Sequence, residues 1–423
     1  MDRRTFLGTA ALATAGLGLG LPLRTARAAS GADLKFLFVF NSGGWDPTRV
    51  FAPEFSNRNV DMEPDAERAT AGGIDFVDHP ARPSVGAFIR QHHSDLLVLN
   101  GVQVRSIAHE ICTMIALTGD TSGFSPDWAT VLAHATGDRY TLPHLVLGGP
   151  SLTGDLGTAV ARTGSNGQLE GLLSGGILDQ SDQAVQARLS RPAEDIVDRY
   201  LQRRAGARAA ASRSAVDAGL SAAHADALDK ALGLKDYRYI MDFTGGQGLG
   251  SQAGVAVDAL AYGLSRCVSL GFPGPGAGLG WDTHANNDDD QSALFEALFA
   301  GLTQLVALLQ TTPGEVEPTL ADETVLVVLS EMGRTPQLNP TLGKDHWPYT
   351  SVMMMGPGLT TDRVIGGLDD NYYGLEMDFA TAEPHAGGRI LSVESVGAAL
   401  LQLADLDPAA WVSGTDPLSG MLG

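Results

Sequence analysis

Short apolar runs alternate along the chain with longer amphipathic stretches. The runs are Leu34–Phe40, Leu96–Asn100, Leu142–Leu147, Cys267–Gly271, Thr324–Leu329 and Val352–Met355, most of them rich in β-branched, leucine or aromatic residues. Runs this brief, without in/out alternation, predict strands buried on both faces, as in a parallel sheet. Between them, apolar residues recur at helical spacing over Ser84–His92, Ile107–Leu117, Asp127–Ala135, Gly254–Leu264, Gln291–Gln310 and Ser392–Ala404. Strands interleaved with helices predict an α/β domain. Glu194–Leu232, rich in Ala, Arg, Asp and Leu, predicts one or two exposed helices, a cap or an interaction arm whose charges form a solvated face. Three stretches lack either period. Phe51–Arg82 reads as an irregular surface excursion, and Leu152–Arg188 as a Gly-, Ser- and Asp-rich insertion over the sheet. Thr361–Asp378 reads as a loop or hairpin near the mouth of a site. His92 and His93 read as a solvated helix end, because adjacent helical side chains diverge. No internal repeat is present.

Polarity returns abruptly where the strands end, which is where open α/β sheets carry their chemistry. After Phe40 comes Asn41-Ser42-Gly43-Gly44-Trp45-Asp46-Pro47, in which Asp46 fits a turn or a metal ligand. After the second strand, Ser106 precedes a helix. It fits a helix cap first, and the same geometry also suits a nucleophile at the end of a helix that attracts anions. His109, in the first turn, is a structural histidine or a group that binds a metal or a leaving oxygen. A Gly/Pro loop delivers Trp281-Asp282-Thr283-His284, and Asp282 and His284, two apart, share one side of an extended segment. Thr324–Leu329 runs into Ser330-Glu331-Met332-Gly333-Arg334, followed by Lys344-Asp345-His346-Trp347. Carboxylates with neutral imidazoles suit a divalent ion, with zinc, manganese, iron, calcium and magnesium all chemically open. Two such ions about 4 Å apart would clamp the attacking and leaving oxygens of an ester. Arg334 would hold the non-bridging oxygens in a fork, and Ser106 would attack if a metal lowered its pKa. The acidic run Asp288–Asp290 lacks the spacing of a calcium loop and reads as the start of a helix.

Charge and the N-terminus narrow the setting. With 28 basic and 49 acidic residues the chain carries −21, which argues against nucleic acid or anionic membranes as partners. Asp2-Arg3-Arg4-Thr5-Phe6-Leu7, a mild apolar run from Gly8 to Leu23, and Ala26-Arg27-Ala28 form a twin-arginine export signal with cleavage after Ala28. The twin-arginine translocase is the expected partner during export, and the product is periplasmic or secreted and not embedded in a membrane. Loss of the leader removes four Arg and Asp2, leaving 24 basic and 48 acidic residues, near −24. Cys112 and Cys267 could pair in an exported protein or remain as two buried thiols. Neither belongs to a cysteine-based metal motif.

Taken together, the leader, the early Gly-Gly-x-Asp loop, Trp-Asp-Thr-His, Ser-Glu-x-Gly-Arg-Thr-Pro and Asp-His-Trp resemble the bacterial exported family known as domain of unknown function 1501. That family is grouped with the alkaline phosphatase and sulfatase superfamily, and the resemblance covers nearly all of the chain after the leader. It implies a mostly parallel central sheet with helices on both faces and metals at the strand carboxyl ends, in a single domain over 29–423 with a helical insertion around 190–235. By position it implies metal ligands at Asp46, Asp282, His284, Glu331, Asp345 and His346, with Ser106 in the place of the nucleophile. The pattern departs from the superfamily in two ways. Ser330-Glu331-Met332-Gly333 stands where Asp-His-Gly is usual, and Ser106 lies outside the sulfatase Cys/Ser-x-Pro-x-Arg motif. The expected function is an exported metal-dependent hydrolase of phosphate or sulfate esters. The runner-up is a non-catalytic binding or assembly protein with Glu194–Leu232 as its partner surface, and a structural calcium protein is the third reading.

Overall fold

The computed structural model describes residues 30–163, 191–237, 240–241, 248–276 and 278–423. The leader, and most of the stretch read as an insertion over the sheet, lie outside the described residues. Eight strands form the central sheet: β1 Lys35–Phe40, β2 Leu96–Gln103, β3 His144–Val146, β4 Val160–Arg162, β5 Cys267–Gly271, β6 Thr324–Leu329, β7 Tyr349–Met355 and β8 Arg363–Gly366. Their order is β8-β2-β7-β6-β1-β5-β3-β4. β1 pairs in parallel with β5 and β6, while β7 runs antiparallel between β6 and β2. The mostly parallel sheet expected from the sequence is therefore present, with β7 reversed.

Side chains alternate along β1 and feed two layers. Phe36, Phe38 and Phe40 enter one core with Leu97, Leu99, Val325 and Val327. Helices α2 His109–Thr118, α3 Trp128–His134 and α8 Val393–Leu403 cover that core. On the other face lie α1 Pro83–His92, α6 Leu249–Ala261 and α7 Asn287–Thr311. Trp45, Phe51, Trp281, Phe295 and Phe299 interlock there with ring centroids 4.9–6.4 Å apart. α7 is long and apolar enough to cross a bilayer. It is instead a core helix, with Leu294, Phe295, Leu298, Phe299, Leu302 and Leu305 wholly buried.

Several expectations need correction. The excursion Phe51–Arg82 contains an antiparallel hairpin, Glu67–Ala71 with Ile74–Asp78. Val160–Arg162 and Arg363–Gly366, read as insertion and loop, complete the two edges of the sheet. His92 is buried against the Phe88 ring at 4.8 Å, while His93 Nδ1 meets Asp362 Oδ1 at 2.9 Å. Cys112 and Cys267 are both free and buried.

The chain divides into two compact units, and the second gathers residues 191–237. Here α4 Arg191–Ala210 and α5 Ala215–Tyr237 run antiparallel, stitched by Lys235 to Glu194 and Asp198 and by Gln202 to Asp229.

Candidate metal centre

The carboxyl ends of β1, β2, β5 and β6 and the entry to the reversed strand β7 share one edge of the sheet. Every candidate residue follows one of these ends, so the topology collects them. Two clusters form, and they differ in kind.

The first is built from imidazoles. His109 opens α2, Asp282 and His284 follow β5, and His346 pairs with Arg334 in a two-strand ribbon just before β7. Donor atoms of His109, Asp282 and His346 all lie within 4.8 Å of one another. His346 Nε2 and His284 Nε2 each lie 3.1 Å from Asp282 Oδ1 and 3.0 Å from each other. His109 Nε2 lies 3.4 Å from Asp282 Oδ2. Donors on a tetrahedral ion at 2.0–2.1 Å would stand about 3.3 Å apart.

The far nitrogen of each imidazole is tied down. His109 Nδ1 donates to Glu331 Oε1 at 2.8 Å, His284 Nδ1 to Asp345 Oδ1 at 2.9 Å, and His346 Nδ1 to the Ile107 carbonyl at 2.7 Å. These acceptors require a proton on each Nδ1, so in the neutral rings every Nε2 presents a lone pair. Two lone pairs then face each other at 3.0 Å, and a third faces a carboxylate. The His109 Nε2 atom is buried and makes no hydrogen bond among the described residues. A cation resolves all of these contacts at once, and imidazoles held through carboxylates and carbonyls are the usual second layer of a metal site. The residues therefore fit a bound divalent ion.

The supporting groups fix the charges. Glu331, wholly buried, also accepts from Gly43 N at 2.8 Å and from Ser330 Oγ at 3.1 Å. Its hydrogen bond raises the His109 pKa, with burial opposing. Burial pushes the Asp282 carboxyl up, but the Arg334 guanidinium and the neighbouring histidines outweigh it and hold it down at about 2. Two backbone features shape this edge. Gly43, at φ 128°, lies against Asp282, where an added Cβ would come within 2.8 Å of the Asp282 nitrogen. Arg105, at φ 61°, turns the loop that carries the Ile107 carbonyl. The centre is open, with the Asp282 and His284 side chains each 47% exposed.

The second cluster is closed. Asp46 Oδ1 accepts from Thr48 N at 3.0 Å and Thr48 Oγ1 at 2.7 Å. Its Oδ2 accepts from Asn287 Nδ2 at 2.9 Å and pairs with Lys344 Nζ at 2.9 Å, with Arg49 Nε at 3.7 Å. Asp46, Arg49 and Lys344 are fully buried. Burial pulls the Lys344 ammonium down to about 8 against the attraction of Asp46. Burial would raise the Asp46 carboxyl, yet Lys344 and Arg49 hold it far below the ordinary carboxylate range.

The expected site is therefore redrawn. Asp282, His284 and His346 come together, and His109 joins them through its ring. Glu331 and Asp345 stand behind imidazoles as acceptors, with a whole ring between them and the place of an ion. Asp46 is occupied by an ammonium, so it does not fit a second ion. Arg334 is not a fork for substrate. It is buried, and its nitrogens are spent on the carbonyls of Gly43, Gly44, Trp281 and Lys344 and on Asp282 Oδ1 at 2.7 Å. Ser106 is not the helix cap, since Ala108 takes that position. Its hydroxyl accepts from Ala108 N at 3.2 Å and is hydrogen-bonded to the Cys112 thiol, which burial pushes up to about 11. Two participants were missed. The Ile107 carbonyl leaves no mark on composition. Lys344 was visible beside Asp345, but its partner lies at the other end of the chain.

The model of a protein family described as "Protein of unknown function (DUF1501)" matches residues 33–386. The chain belongs to the DUF1501 family. No curated protein matches it. Solved structures that match include a protein in the alkaline phosphatase superfamily from Vibrio parahaemolyticus, at 9% identity and TM-score 0.39 over 96% of this chain and 76% of that one. The lipoteichoic acid synthase LtaP from Listeria monocytogenes matches at 10% identity and TM-score 0.38, over 95% and 78%. The PsFucS1 sulfatase from Pseudoalteromonas sp. matches at 10% identity and TM-score 0.38, over 100% and 76%. Similarity at this level bears on neither substrate nor chemistry.

Proposed function

We propose that this DUF1501 protein is an exported hydrolase of phosphate or sulfate esters that works with one divalent transition metal, held by His109, Asp282 and His346 with His284 beside them. The observation that carries the reading is the set of three Nδ1-tethered imidazoles whose Nε2 lone pairs converge on Asp282. Two nitrogens and one carboxylate, with a fourth position left open, suit a catalytic zinc better than calcium or magnesium, which take oxygen ligands. When bound, such an ion supplies Lewis acidity to an ester oxygen and lowers the pKa of water. Glu331 and Asp345 orient His109 and His284, and Arg334 keeps Asp282 ionised. The half-exposed mouth around Asp282 and His284 admits substrate. In this reading the leader delivers the folded protein to the periplasm or beyond, through the twin-arginine translocase, and Ser106 is a loop residue outside the chemistry.

The test is turnover of p-nitrophenyl phosphate, bis(p-nitrophenyl) phosphate and p-nitrophenyl sulfate by natively exported, metal-loaded protein, beside His346→Ala. Turnover that chelator abolishes, zinc restores and the variant lacks supports the proposal. Loaded wild type inert toward all three overturns it.

A second reading is supported by Arg334, which has no face left for an anion. On that reading the fold is a non-catalytic binding or assembly protein with one metal. The helical pair α4–α5, where Ile196, Tyr200 and Leu220 are exposed, would be its partner surface. Deleting that pair would then abolish partner binding while metal content stays unchanged.

A further inference from the structure

One residue beyond His346 the chain changes character. Trp347 stacks on Tyr373 with ring planes 6° apart and centroids at 5.6 Å, and Tyr349 packs on Tyr373 at 5.6 Å. Tyr373 is 46% exposed although two other rings hold it. It lines an open depression of about 640 Å³ with Tyr349, Asp369, Glu376, His385 and Ile390.

The loop that presents Tyr373 is fixed from within. Asp369 Oδ1 accepts from the nitrogens of Asn371 and Tyr373, both at 2.9 Å, and Asp369 N donates to the Tyr373 carbonyl at 2.8 Å. Tyr372, wholly buried, sits at φ 66°, a strained backbone conformation for a bulky residue. Its carbonyl accepts from Trp347 Nε1 at 2.9 Å, so the strained turn is bolted to the segment that carries His346. Strain of this kind persists only where the surroundings enforce it, and it concentrates at binding sites. Here its product is a tyrosine ring left half open to solvent.

We propose that this depression is a subsite for a neutral sugar ring of the substrate, seated on Tyr373 while the ester lies at the metal centre. The C–H face of a pyranose packs on an aromatic ring, and a rigid tyrosine loses little freedom in binding it. The walls of the depression supply acceptors for hydroxyl groups. Asp369 and Glu376 use one carboxylate oxygen each inside the loops, and among the described residues the other accepts no hydrogen bond. Two carboxylates in the wall repel an anionic ring, so the charged group of the substrate is placed at the metal end.

The inference rests on the hydrolase reading for the bond that is cut, but its test reads binding alone, so the two fail separately. Metal-loaded protein is titrated calorimetrically with cello-, malto-, xylo- and chitotetraose, beside Tyr373→Ala, Tyr373→Phe and His346→Ala. Circular dichroism confirms that each variant is folded. The expected result is binding of at least one tetrasaccharide, weakened about tenfold in Tyr373→Ala and retained in Tyr373→Phe and His346→Ala. Two results overturn the subsite: no binding by wild type to any of the four, or binding that Tyr373→Ala leaves unchanged. Binding with no ester turnover would keep the subsite and sink the hydrolase reading.

Discussion

Asp46 and Asp282 both follow central strands of one sheet, and both are carboxylates held down in pKa by neighbouring cations. Their surroundings make them opposites. Asp46 is fully buried, and the Lys344 ammonium is its counter-ion at 2.9 Å. Asp282 is 47% exposed, and beyond Arg334 its neighbours are three imidazoles whose tautomers are set by Glu331, Asp345 and the Ile107 carbonyl. The first cluster is complete as it stands. On the reading proposed above, the second calls for a cation. A carboxylate at a strand end therefore marks a metal site only when the groups facing it have lone pairs to offer.

Breaking the closed cluster should cost the most stability. Asp46→Ala leaves Lys344 buried and unpaired, and should lower unfolding free energy by about 3–5 kcal/mol in a denaturant titration. Metal content of the surviving folded fraction should not change. Next comes loss of a ligand. Asp282→Ala or His109→Ala should weaken zinc binding about a hundredfold or more in a chelator competition, with a smaller effect on the fold of the apo protein. Glu331→Gln keeps the shape but removes the charge behind His109, and should weaken zinc about tenfold.

A separate effect is a pH dependence set by a buried carboxylate far from the metal. Burial raises Glu323, but hydrogen bonds from Glu315 N, Val316 N and Lys35 Nζ outweigh it and lower its pKa. A lowered folded pKa means stability that is present above the unfolded value and lost as pH falls through the folded one. The wild type should lose stability on acidification below about pH 4, and Glu323→Gln, about 2 kcal/mol less stable at neutral pH, should lose less over that window. An unchanged acid limb in the variant would remove Glu323 from the account.

Much of the scaffold was readable from pattern. Thr324–Leu329 and Cys267–Gly271 are strands over those same residues, because a strand buried on both faces must be apolar throughout. The edge strands Val160–Arg162 and Arg363–Gly366 escaped, since an edge strand is short and needs no continuous apolar run. The hairpin Glu67–Ala71/Ile74–Asp78 had a signal, the Gly72-Gly73 turn between alternating residues, that was passed over. At the site, residue types were legible and pairings were not. Nothing in the spacing says that Lys344 turns inward to Asp46 while His346, two residues on, turns to Asp282. Arg334 misled for the same reason: a guanidinium suits an anion or four carbonyls equally well until the loops around it are placed.

The most direct test of this division is metal stoichiometry, measured by elemental mass spectrometry on natively exported wild type, Asp46→Asn and Asp282→Ala. One equivalent of zinc in wild type and Asp46→Asn, with none in Asp282→Ala, is the predicted result. Two equivalents in wild type falling to one in Asp46→Asn would contradict it, because Asp46 would then be holding an ion that Lys344 is said to replace.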